Sequence, residues 1–139
     1  PKYIVFFSHG MHLLGSHPIV LYNRLIALRN IITQFKKQSP KTLFIYRGIN
    51  YARGNFNNLY AVSPNIFSYF MREMTFKIFG NPYLEDTKND DERYPVKIFD
   101  TFGSSFSAFD TMSAGNVHPP GALRTGIEHT FVSFVDYLS

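Results

Sequence analysis

Three short apolar runs, 3–7, 42–46 and 96–99, constrain the fold more than any other feature of the chain. Each is rich in β-branched and aromatic residues, and the first is apolar throughout rather than alternating, the pattern of a strand buried in a parallel sheet. Between the first two, Leu21, Leu25, Leu28, Ile32 and Phe35 recur at helical spacing. They predict an amphipathic helix from Pro18 to Gln38, with Arg24, Lys36 and Lys37 off its apolar face and Ser39-Pro40 as its stop. Ile66, Phe70, Met74 and Ile78 predict a second helix over 64–79, closed by Gly80-Asn81-Pro82. After Asp100 comes a small, polar stretch, 101–113, with room for a short helix. Leu123, Ile127, Phe131, Val135 and Leu138 predict a last helix over 122–138. Strand and helix in alternation imply right-handed crossovers between parallel strands. The expected fold class is α/β, a three-layer α/β/α arrangement around a parallel sheet of 3–7, 42–46 and 95–99. No repeat or linker divides the chain, so 1–139 is one domain. Three strands are few for a doubly wound sheet, so an incomplete sheet with an exposed or partnered apolar edge is expected. The start at Pro1, with a strand two residues on, leads us to expect a piece of a longer protein.

Composition narrows the function classes. Hydrophobic residues make up 45% of the chain and aromatic residues 17%, enough for a ring-rich core and too much for a disordered segment. The net charge of +4 favours anionic partners, but no dense Lys/Arg patch points to nucleic acid. The absence of cysteine excludes disulfide staples and thiolate zinc sites. No Asn-x-Ser/Thr sequon, signal peptide or apolar run of membrane-spanning length occurs.

The chemistry-bearing residues gather where strands end. The first strand runs into 8–17, which holds His9, His12, His17, Gly10 and Gly15. Ligands of open α/β sheets bind beyond strand carboxyl ends. The histidine spacing matches no standard metal motif, and no metal site is expected. The second strand runs into a polar loop over 47–63, where Arg47 and Arg53 suit a carboxylate or an acidic sugar; a solvated surface loop is the alternative. Residues 85–93 form a charged surface excursion. In Gly115-Asn116-Val117-His118-Pro119-Pro120, the prolines stiffen the backbone around His118 just before a helix start. An imidazole held in this way suits a general base for a hydroxyl nucleophile; a turn-capping histidine is the alternative.

Several landmarks occur in an order that resembles the carboxyl-terminal part of the NXPE family (neurexophilin and PC-esterase domain), relatives of the SGNH hydrolases. They are Phe7-Ser8-His9-Gly10-Met11-His12, Leu25-Ile26-Ala27-Leu28-Arg29-Asn30-Ile31, Gln38-Ser39-Pro40, Ile98-Phe99-Asp100, Asn116-Val117-His118-Pro119-Pro120 and Phe131-Val132-Ser133-Phe134. The resemblance covers nearly the whole chain.

It implies an SGNH-hydrolase-like (flavodoxin-like) fold, a Golgi-lumenal or extracellular location in the secretory pathway, and no cofactor. It also implies an activity, that of a carbohydrate O-acyl esterase or O-acetyltransferase. His118 matches the catalytic histidine, and Gly10 and His12 match the block that helps form the oxyanion hole. The family's Gly-Asp-Ser nucleophile motif is absent from these 139 residues, and in the family it lies upstream. The family's Asp three residues before the histidine is replaced by Gly115, leaving Asp110 or Asp100 to orient His118. The expected partners are an acylated glycan or other small molecule and the preceding portion of the same protein. The segment alone is expected to be inactive. The alternative is a non-catalytic glycan-binding or interaction module on the same fold.

Overall fold

A computed structural model of the chain describes residues 3–8, 17–49, 64–84, 90, 92–107 and 121–138. Its elements, in chain order, are β1 (Tyr3–Phe7), α1 (Pro18–Gln38), β2 (Thr42–Arg47), α2 (Pro64–Phe79), β3 (Lys97–Phe99), α3 (Phe102–Ser107) and α4 (Gly121–Leu138). The strands form one parallel sheet in the order β1-β2-β3, with Phe7 opposite Tyr46 and Arg47 opposite Phe99. The expected parallel α/β arrangement is therefore present.

Side-chain alternation along β2 assigns its two faces. Phe44 and Tyr46 join Leu25, Ile32, Met71, Phe79 and other residues of α1 and α2 in the larger apolar cluster. Ile45 points the other way and joins Phe99 and Ile127, with Phe131, Phe134 and Val135 of α4 packed alongside. Two crossovers stepping in the same direction put α1 and α2 on one face. Helix α4 covers the other.

Local chemistry sets the element ends. His17 caps α1, its Nδ1 accepting the Ile19 N–H at 3.3 Å, and Pro18 occupies the first turn, where no amide hydrogen is needed. Ser39 closes α1, and its Oγ lies 2.8 Å from Thr42 Oγ1, which fixes the short turn into β2. Gly80 ends α2 with φ of 101°, a left-handed conformation that glycine adopts without Cβ strain.

Three expectations are corrected. β1 is not buried: Tyr3 is 57% exposed and Phe6 46%. Among the described residues it pairs with β2 alone, and its apolar side chains form an exposed edge of the sheet. Of the expected α2 stripe, Ile78 is buried and Met74 packs against the core, whereas Ile66 and Phe70 are exposed; Ser68, Met71, Thr75, Phe76 and Phe79 complete the buried face. Apolar residues occur nearly all round this helix, so periodicity alone does not choose the inward stripe. Thr75 fits inside because its hydroxyl donates to the Met71 carbonyl at 2.7 Å. Finally, β3 begins at Lys97 rather than at residue 95, since Pro95 has no N–H to give to the ladder.

Candidate functional site

The carboxyl ends of β2 and β3 are drawn together at Gly48. Its N–H donates to the Phe99 carbonyl at 2.8 Å, and its own carbonyl accepts from the Thr101 hydroxyl at 3.0 Å. A Cβ on Gly48 would lie 3.3 Å from the Phe99 oxygen and 3.4 Å from Asp100 Cα, so a bare α-carbon allows this close approach.

Asp100, the residue after β3, has a side chain only 3% exposed. Its Oδ2 accepts from Arg72 Nε at 3.0 Å, from Arg72 Nη2 at 2.9 Å and from the Tyr83 hydroxyl at 2.7 Å. Its Oδ1 accepts the Phe102 N–H at 3.2 Å and so fixes the start of α3. The partners come from separate elements. Arg72 projects from α2, with its guanidinium 4.4 Å from the Phe76 ring centroid and 5.7 Å from that of Phe102. Tyr83 is brought round by the turn after Gly80, where Asn81 Oδ1 accepts the Tyr83 N–H at 3.0 Å.

Burial works against the charge on Arg72, but the Asp100 carboxylate and the Tyr83 hydroxyl outweigh it and hold the guanidinium more firmly protonated than usual. Burial, followed by the hydrogen bond to Asp100, pushes the Tyr83 phenol up. A carboxylate bound by so many donors is a structural latch joining β3, α2 and α3. Its Oδ1 keeps one lone pair for a further donor.

On the opposite face, a cavity of about 450 Å³ opens between the strand ends and the start of α4. Phe6, Arg47, Phe99, Arg124, Glu128 and Phe131 are among its walls. Arg47 is the last residue of β2, and the strand's alternation turns it towards α4. It is half-buried, and no carboxylate among the described residues pairs with it. Arg124 lies in the first turns of α4 and donates through Nε to Glu128 at 2.9 Å, an exposed i, i+4 pair.

Of the residues singled out by sequence, the structure places Arg47 and Asp100 at the same edge of the sheet but on opposite faces. Gly10, His12, Asp110 and His118 lie outside the described residues. The ends of their segments are described: residues 9–16 join Ser8 to His17, and 108–120 join Ser107 to Gly121. His17 serves as a helix cap. Among the described residues, no three His, Cys, Asp or Glu side chains gather as a metal site. No helix among them is long and apolar enough to cross a membrane.

Sequence reasoning missed Arg72, Tyr83 and Arg124. A signal existed for two of them. Arg72 and Phe76 stand at i, i+4 spacing in α2, and Arg124 and Glu128 share that spacing in α4. Tyr83 carried no local signal, because its partner is 17 residues away.

No family model matches the chain, and neither a curated protein nor a solved structure matches it.

Proposed function

We propose that this chain is the carboxyl-terminal portion of an SGNH-type carbohydrate O-acyl esterase or O-acetyltransferase, with a three-layer SGNH-like domain completed by the preceding portion of the protein. The observation that carries this reading is the cavity at the carboxyl edge of the parallel sheet, bounded by strand ends and by the first turns of α4. Open α/β sheets hold their ligands there. His118 stands three positions before Gly121, the first residue of α4. The segment with Gly10 and His12 leaves the same sheet edge.

In this reading a serine from the preceding portion attacks the acyl carbonyl and gives its proton to His118. Gly10 and His12 belong to the donor set that meets the developing oxyanion. Collapse expels the sugar oxygen, which takes the proton from His118, and leaves an acyl-serine. Water or a second sugar hydroxyl then attacks, with His118 again as base, to release the acid or form the new ester. Asp110 or Asp100 orients the imidazole. The setting proposed is the Golgi lumen or the extracellular space.

The test is His118→Ala in the full-length protein, with turnover of an acetylated sugar and an aryl acetate measured beside a denaturation curve. The expected loss is roughly 10²- to 10⁴-fold in rate with the fold retained. A folded variant with near-full turnover would remove His118 from the chemistry. Asp110→Asn and Asp100→Asn then identify the orienting carboxylate.

The second reading is a glycan-binding module without catalysis. Two arginines at the cavity favour it. Glycan binding by a full-length protein that turns over neither ester would select it.

A further inference from the structure

We propose that the cavity between the strand ends and α4 is a subsite for a carboxylate-bearing sugar, with Arg47 and Arg124 binding the carboxylate. The inference deepens the glycan-directed reading above by naming its substrate class. A half-buried guanidinium without a carboxylate partner is costly, because it has lost water and gained no counter-charge. Arg47 is in that position at a sheet end, where a ligand's acid group would supply the charge.

Arg124 adds a second guanidinium on the facing helix. Glu128 engages its Nε, which leaves the Nη N–H groups without an acceptor among the described residues. Among the described lining residues, two cations and one carboxylate make the cavity net positive. Guanidinium groups match a planar carboxylate with paired hydrogen bonds, which an ammonium does not.

The rest of the lining fits a sugar ring rather than a bare anion. Phe6, Phe99 and Phe131 form an aromatic wall: the Phe6 and Phe131 centroids are 4.4 Å apart, and those of Phe99 and Phe131 5.3 Å. Aromatic faces stack against the C–H face of a pyranose. The volume lies in the range of small-ligand sites, about 300–1,000 Å³.

The experiment titrates methyl β-D-glucuronide and methyl β-D-glucoside into the full-length protein, following binding by NMR shift changes and by calorimetry at two salt concentrations. The glucuronide is expected to bind at least about tenfold more tightly than the glucoside, and less tightly as salt rises. Arg47→Gln and Arg124→Gln are each expected to remove most of that preference, and Arg47→Lys to restore part of it. Arg124 is on the surface, its side chain 73% exposed, so its substitution reports even if the Arg47 variant fails to fold. Equal affinity for the two sugars, or an acid preference that survives Arg124→Gln, would overturn the proposal. Ester turnover on neutral acetylated sugars, measured on the same protein, keeps the two readings separate. Turnover without acid preference removes the subsite alone, and acid preference without turnover removes the esterase alone.

Discussion

Asp100 shows how a single residue acquires its role from distant parts of the chain. Arg72 is 28 residues away and Tyr83 is 17. Removing Arg72 leaves a carboxylate buried without its cation, so Arg72→Ala is expected to cost about 3–5 kcal/mol in urea denaturation. A loss below about 1 kcal/mol would mean that water reaches Asp100 when the arginine is gone. The raised Tyr83 phenol sets a pH dependence. Its folded-state value exceeds the unfolded one, so its contribution is fully present below the ordinary tyrosine range, about pH 10, and is lost as pH rises through the folded value. Above about pH 10 the native protein should lose stability more steeply than Tyr83→Phe, and parallel curves for the two would dissociate Tyr83 from the effect. The type of each residue was legible in sequence, but the convergence of Arg72 and Tyr83 on one carboxylate oxygen was not.

Among the elements, β1 and β2 share a composition and differ in place. Both are apolar runs, yet Ile45 in β2 is fully buried while Val5 in β1 is 38% exposed. β2 has a neighbour on each side and helices on both faces. Among the described residues β1 has a neighbour on one side only. Ile45→Ala should therefore cost about 3 kcal/mol and Val5→Ala under about 1 kcal/mol in the same denaturation assay. Equal costs would show that the β1 edge is covered in solution. Helix α2 gives the corresponding lesson for helices. Its length and ends follow from Pro64 and Gly80, whereas its inward face was set by the neighbours it met.

Across the whole molecule, two apolar clusters lie back to back on one sheet. The larger holds α1 and α2, and the smaller holds α4 through Ile127, Phe131, Phe134 and Val135. Phe131 touches both Phe6 and Phe99, so it links α4 to the edge strand and to β3. Phe131→Ala should cost about 2–4 kcal/mol. Hydrogen exchange should show α4 losing protection before α1 and α2 do, as expected where a small cluster carries a whole helix. Uniform loss of protection would show that the two faces unfold as one unit. The same substitution removes part of the aromatic wall of the proposed sugar subsite, so weaker glucuronide binding should accompany it.

The sequence by itself determined the elements, their order and most of their ends. These depend on short-range rules: apolar runs, helical spacing, proline at helix starts, and a glycine that turns with positive φ. It also indicated that chemistry gathers at strand carboxyl ends, and Arg47 and Asp100 do lie there. Only the tertiary structure decided that the two face opposite sides of the sheet, because the facing follows from register and from which helix covers which side. It alone left β1 exposed, turned Ile66 and Phe70 of α2 outward while Met74 and Ile78 packed inward, and brought Arg124 to the cavity that Arg47 lines. Those outcomes depend on contacts between residues far apart in sequence, where the energy comes from burial and charge pairing that no local pattern records.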